Sequence, residues 1–415
     1  MNGNLLLKNA NIFTPLGSSA RRGEEMGLLQ KYENASILIK DGVILQIGNH
    51  SVCPESSLKD ICVIDAGGRA VLPGFVDSHT HLIFGGYRPD EFGWRLKGES
   101  YMSIMERGGG IQSTVNATHL SSIDELVSKA QWFIDRMSEM GVTTVEAKSG
   151  YGLNTSDEIK MLDAIAELSA VPGQKLNIIS TFLGAHAVPC EYKGRTAEYV
   201  DLIIKEMLPK VASKARFFDI FTEKNVFEID DSRRLLTAAR EAGMQLKLHA
   251  DEIVSLGGAE LAAEVGAVSA DHLLHVSEQG IERMAEKGVV ATLLPLTAFA
   301  LREPYAPARK FIESGAAVAL ATDLNPGSCF SGSIPLTIAL ACIYMKMSIE
   351  ETITALTLNG AAALGMADEI GSLEPGKRAD IIILEFPEIS MLPYYVGMNC
   401  VRTTIHDGII VNDKI

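Results

Sequence analysis

Cysteine is scarce in this chain and follows no pattern. The six residues, Cys53, Cys62, Cys190, Cys329, Cys342 and Cys400, are scattered and form no CxxC pair. This spacing excludes a disulfide framework and reads as reduced, mostly buried thiols of a cytoplasmic protein. Cys329 stands apart only because it lies in a loop with candidate site residues. Blocks of like charge are also missing. Charged residues make up 21% of the 415, well mixed in sign, so a disordered chain is excluded. The formal charge of -15 argues against nucleic acid and against an anionic membrane as partners. The opening "MNGNLLLKNANIFTPLG" lacks the basic start and long apolar core of a secretory signal. The longest apolar run, near "IPLTIALACIYM", falls short of the about 20 residues that span a bilayer. There is no short repeat and no low-complexity segment.

What is present is a slow alternation. Hydrophobic residues make up 47%, enough for a large core. From about residue 70, short β-rich runs alternate with helical stretches: "LPGFVDSHTHL", "GVTTVEAKSGYG", "LNIISTFLGAH", "RFFDIFTE", "QLKLHADE", "AVSADHLLH", "GVVATLLPLT" and "AVALATDLNPG". The intervening helices are marked. Ser122 and Glu125 form a capping-box pattern before an apolar stripe (Ile123, Leu126, Val127, Ala130, Phe133, Ile134, Met137), and Gly141 suits the C′ position. Thr155 with Glu158 repeats the capping logic, and Gly288 ends a later helix.

Eight such units predict an α/β fold, a (β/α)8 TIM barrel over residues 71–371, with its site at the C-terminal strand ends. A doubly wound sheet would show a glycine-rich phosphate turn, which "RGGGIQST" at 107–114 only weakly imitates. Residues 1–70 and 372–415 hold further short β runs, too few at either end for a stable core. They are expected to join into one small composite β-sandwich domain. The polar insertion at 17–31 receives no role.

Six of the nine histidines fall at predicted strand ends: His79, His81, His186, His249, His272 and His275. His50, His119 and His406 read as surface residues. Side chains two apart on a strand share a face, so His79 and His81 project together from the first barrel strand. Neutral imidazoles placed this way can bind a transition metal. His249, His272 and Asp323 end strands five, six and eight. Taken together, the set points to a metal centre.

These residues, with "PGFVDSHTH" at 73–81 and "GSLEPGKRADIIIL" at 371–384, resemble the amidohydrolase superfamily. The similarity runs nearly end to end. Its more specific stretches, "HTHLIFGGYRPDEF", "GGGIQSTV", "KSGYGL", "TFLGAHAVP", "LHADE", "SADHLLH" and "DLNPGSC", resemble the branch that opens a small anionic cyclic amide. The resemblance implies one Zn2+ or Fe2+/Fe3+ per subunit on His79, His81, His249 and Asp323. It implies substrate contacts from Arg88, Tyr151, His186, Glu252, Asn325, Gly327 and Ser328. It gives catalytic roles to Glu252, His272 and Asp323, and a homodimer as the assembly. The implied reaction is hydrolysis of 4-imidazolone-5-propanoate to N-formimino-L-glutamate.

A metal would activate water and polarise the carbonyl, and Arg88 would offer a two-pronged donor to the propanoate. Two-metal members of the superfamily usually supply a carboxylated lysine at the end of strand four; here that strand ends in Glu223–Lys224, so the resemblance implies one metal, with Lys224 left to be placed. Two other readings share part of the pattern. One is an aminohydrolase such as a guanine or cytosine deaminase, and the other is a scaffold without catalysis. Arg88, "KSGYGL" and "NPGS" speak against the first, and the complete ligand set against the second.

Overall fold

The computed structural model describes residues 3–48, 61–99 and 109–414. His50, Cys53, Arg107 and Gly108 lie outside the described residues. Two eight-stranded sheets organise the chain. The first is built from both chain ends: β1 (Leu5–Thr14), β2 (Gln30–Lys40), β3 (Val43–Gly48), β4 (Cys62–Asp65) and β5 (Ala70–Pro73) precede the second sheet, and β14 (Ile381–Leu384), β15 (Val401–His406) and β16 (Ile409–Asp413) follow it. The second sheet runs in chain order through β6 (Phe75–Asp77), β7 (Val142–Lys148), β8 (Asn177–Ala185), β9 (Phe217–Thr222), β10 (Gln245–Ala250), β11 (Ser269–His272), β12 (Val290–Leu293) and β13 (Ala317–Leu320), with every pair parallel.

The two chain ends meet where β14 pairs antiparallel with β5, Ile382 opposite Leu72. Both strands are buried on both faces, which accounts for their unbroken apolar sequence. Val71, Ile381 and Ile383 face a small core with Leu5, Ile12, Ile37 and Ile44. Leu72, Ile382 and Leu384 face the main core under the barrel. The small sheet also curls back on itself: the Ile44 N–H donates to the Lys377 carbonyl (2.8 Å) and the Ala379 N–H to the Gly42 carbonyl (2.7 Å).

The barrel closes between its first and last strands. Regular pairing in β6 stops at Asp77, but the chain stays extended. Thr80 bridges Leu324 in parallel, the His81 N–H donates to the Leu324 carbonyl (2.9 Å), and the Asp323 N–H donates to the His79 carbonyl (3.0 Å). Helices follow the strands as the periodicity predicts. Ser122 and Glu125 form the reciprocal cap of the helix Ile123–Glu139, and Gly141 follows it with φ 89°. The next helix corrects the expectation. Asn154, not Thr155, is the cap of Thr155–Ser169, its side chain accepting from the Asp157 N–H. Glu158 is drawn inward instead and accepts from the backbone N–H groups of Gly150, Gly152 and Leu153. Among the described residues, no helix is long and apolar enough to cross a membrane.

The insertion that received no role straps the N-terminal end of the barrel. The Gly23 N–H donates to the Ala316 carbonyl (3.0 Å), just before β13, and the Arg21 N–H to the Asn359 side chain (2.8 Å). Met26 is fully buried in the main core, and its carbonyl accepts from the Thr354 hydroxyl (2.8 Å). Met26→Ala is expected to lower stability by about 2–5 kcal/mol, the usual range for emptying such a site. A urea midpoint equal to that of the parent would remove the anchoring role.

Candidate active site

The strand ends named by the histidine pattern converge on one point at the C-terminal mouth. His79 Nε2 and His81 Nε2 each lie 3.5 Å from Asp323 Oδ1. His249 Nε2 lies 3.3 Å from His81 Nε2. Donors held at about 2.0–2.2 Å from a tetrahedral cation would stand about 3.3–3.6 Å apart, so the His79–Asp323, His81–Asp323 and His81–His249 pairs have the spacing of neighbours in a coordination shell. His79 Nε2 and Asp323 Oδ1 are buried without a hydrogen-bond partner among the described residues, a costly arrangement unless a cation completes it. The donor set therefore fits a divalent metal.

Outer contacts turn the donors inward. His79 Nδ1 meets Asp271 Oδ2 at 2.6 Å, and His249 Nδ1 meets Asp219 Oδ2 at 3.1 Å. Asp271 thus hydrogen-bonds the far ring nitrogen of His79, Asp219 lies at ion-pair distance from that of His249, and both leave Nε2 for the cation. The Thr297 hydroxyl donates to Asp323 Oδ2 (2.6 Å) and leaves Oδ1 free. The two acids belong to a buried network. Lys148 Nζ lies 2.7 Å from both Glu146 and Asp219, and Lys247 Nζ lies 3.1 Å from Glu146 and 3.7 Å from Asp271. All five side chains are inaccessible to solvent.

Protonation follows from this setting. Burial holds His79, His81 and His272 well below the ordinary histidine value, and burial with nearby His249 pushes His186 down to about 3. The direction favours the neutral form that ligands and acceptors need. His249 is shifted the other way: burial disfavours its charge, but Asp219 beside it raises its value, and binding a cation through Nε2 would displace that proton. Burial raises Asp323 to about 6 against the Thr297 hydrogen bond. Burial, then the neighbouring Asp323, pushes Glu252 up to about 8.

A cavity of about 560 Å³ opens above the donors. His186 stacks on His81 (centroids 4.9 Å apart, 20° between planes) and Nδ1 meets the Gly150 carbonyl at 3.0 Å. Tyr151 is buried with its ring 5.2 Å from that of His186. Glu252 Oε2 lies 3.6 Å from His272 Nε2, and the His272 ring lies 5.1 Å from that of His249 and 5.5 Å from that of His79. His275 and Phe221 also line the wall.

At the other end stands Arg88, just before the helix Pro89–Leu96 and 3.5 Å from Glu91. Glu91 in turn accepts from the Gly110 N–H (3.0 Å), in the stretch weighed above for phosphate. The guanidinium of Arg88 lies against Gly327, where a Cβ would sit 1.9 Å from Nη2. Arg95 donates to the Gly327 carbonyl (2.7 Å). Asn325 lines the cavity, but its side chain is committed to its own loop. It donates to the Asp323 carbonyl and the Ser328 hydroxyl, and accepts from the Gly327 and Ser328 N–H groups.

The structure thus brings together every site residue named from the sequence, and departs from the sequence reading elsewhere. His406 is not a surface residue: it is buried in β15 with Nδ1 2.9 Å from Asp380, because the β domain covers that face. His119 is exposed. Lys224 is exposed and is not among the residues that line the cavity. Cys62 and Cys190 are exposed thiols, unlike buried Cys329 and Cys400. The sequence reading missed Asp219, Asp271, Thr297, Glu91 and Arg95. Only the in-facing positions of Asp219 and Asp271 on apolar strands offered a signal.

The profile of the amidohydrolase family matches residues 70–411. The imidazolonepropionase of Bacteroides fragilis is 59% identical over 413 residues, covering 99% of each chain. That of Bacteroides thetaiotaomicron is 60% identical over 413 residues, again covering 99% of each. A crystal structure of 5-methylcytosine deaminase from Klebsiella pneumoniae, liganded with 5-fluorocytosine, shares the fold with a TM-score of 0.74 at 16% identity, covering 99% of this chain and 98% of that one. By these matches and by the site that they span, the chain belongs to the amidohydrolase family and, within it, to the imidazolonepropionases.

Proposed function

We propose that the chain opens the ring of 4-imidazolone-5-propanoate by hydrolysis, giving N-formimino-L-glutamate in histidine degradation. The observation that carries this reading is one cavity with two chemically distinct ends. Its lining holds the metal-type donors His81, His249 and Asp323, with His79 beside them, and separately Arg88 against Gly327. The substrate has matching ends, a cyclic amide and a carboxylate. A divalent cation, when bound by His79, His81, His249 and Asp323, supplies Lewis acidity to water and to the amide carbonyl. Zinc and iron both suit three imidazoles and a carboxylate.

The chain's own residues do the rest. Arg88 pairs with the propanoate, held in place by Glu91 and by the missing side chain at Gly327. Tyr151 and His186 wall the ring, and His186 keeps Nε2 as an acceptor because Nδ1 faces a carbonyl. Asn325 shapes the loop that presents Gly327 and Ser328. Water adds its oxygen to the amide carbon, the C–N bond breaks, and the freed nitrogen takes a proton. Asp323 accepts the proton from water. Glu252, kept protonated up to about 8 by its buried setting, donates to the leaving nitrogen. His272, neutral and beside Glu252, hydrogen-bonds to the developing oxyanion. The unpaired cysteines among the described residues suit a reducing cytoplasm, and a homodimer is the assembly we assign from the family resemblance.

Turnover of 4-imidazolone-5-propanoate to formiminoglutamate should vanish on treatment with a chelator and return with added Zn2+ or Fe2+. Activity that is indifferent to chelation would sink the metal reading. Arg88→Ala should raise KM with metal content unchanged, and Gly327→Ala should do the same by displacing the guanidinium. An unaltered KM in both would end the carboxylate role. Glu252→Gln keeps the shape but not the acid, and should lower kcat by about 10²–10⁴ with little change in KM. Full kcat in that variant would reassign the proton donor.

A further inference from the structure

Thr297 lies on the third residue of the helix Pro295–Leu301 that follows β12, and is fully buried. Its hydroxyl donates to Asp323 Oδ2 at 2.6 Å. The other oxygen, Oδ1, has no hydrogen-bond partner among the described residues and lies 3.5 Å from both His79 Nε2 and His81 Nε2. The backbone of Asp323 is already fixed. Its φ is +53°, a left-handed conformation disfavoured for a side-chain-bearing residue, and its N–H is tied to the His79 carbonyl (3.0 Å). Its own carbonyl accepts from the Asn325 amide (2.7 Å). The remaining freedom is rotation of the carboxylate, which would exchange the two oxygens or present both. The bond from the Thr297 hydroxyl to Oδ2 breaks that symmetry.

We infer that Thr297 is a positioning residue that selects which oxygen of Asp323 faces the cation, so that Asp323 binds through Oδ1 alone. With Oδ2 held by the hydroxyl, a swing that brought both oxygens to a metal would have to stretch or break that hydrogen bond. This inference rests on the reading of His79, His81, His249 and Asp323 as metal ligands.

The test is Zn2+ affinity of the metal-stripped protein, measured by competition with a chromogenic chelator, together with the melting temperature of each metal-free form. Thr297→Val keeps the shape and removes the donor. It should weaken Zn2+ binding by about 10–100-fold, the usual effect of losing such an outer contact. Thr297→Ser keeps the donor and should retain the parent affinity. A threonine needed only for packing would leave the Zn2+ affinity of Thr297→Val at the parent value and lower the metal-free melting temperature of Thr297→Ser, which loses the methyl group. That result overturns the inference. Should Thr297→Val not fold, a crystal structure of the unaltered protein with Zn2+ decides. Asp323 bound through Oδ1, with Thr297 still on Oδ2, is expected, and a bidentate Asp323 overturns it. A parent protein that binds no Zn2+ at all would instead sink the metal reading itself.

Discussion

The hydrogen bonds that close the barrel are also the bonds that hold its donors. His79 and Asp323 are joined through a backbone N–H and carbonyl, and so are His81 and Leu324. First and last strands therefore cannot part without separating three of the four converging side chains. A parallel sheet that closes leaves no exposed edge. Here closure falls at the mouth, beyond the last regular pair of β6, where the chain would otherwise fray. Order at the mouth and order at the site are one constraint.

That constraint accounts for the unusual interior. A barrel core is ordinarily filled by branched apolar side chains. Below the donors this one carries Lys148, Lys247, Glu146, Asp219 and Asp271, all without solvent contact. Burying charge is costly, and a buried pair adds little net stability over a well-packed apolar one. The arrangement makes sense through its upper edge. Asp271 and Asp219 hold the outer nitrogens of His79 and His249, and the two lysines balance the acids and fix their positions. Backbone strain gathers at the same level: His272, Leu273, Asp251 and Asp323 all have positive φ. Sharp turns there re-aim side chains from the barrel axis to the cavity.

The small sheet and the strap serve the barrel from outside. β5 and β14 are shared between two cores by strict alternation, so the β domain is packed to the barrel by the strands that build it. The strap at 17–31 covers the opposite end from the cavity and leaves the mouth to its loops.

The strand–helix rhythm, the pairing of the chain ends and the six strand-end histidines were all legible in the sequence, because periodicity and strand position are local properties. The pattern of two identical faces two residues apart was enough to place His79 and His81 together. Asn154 against Thr155, buried His406, and the roles of Asp219, Asp271 and Thr297 were not legible. The cap is a choice between two adjacent residues that both suit it, whereas the others depend on which distant segment lies opposite, and a single aspartate on an apolar strand or threonine on a helix looks the same whether or not it faces a metal ligand. The amino-acid order by itself determined which side chains reach the barrel mouth. Only the tertiary structure decided which atom of each side chain turns inward, because that choice is made by hydrogen-bond partners remote in the chain.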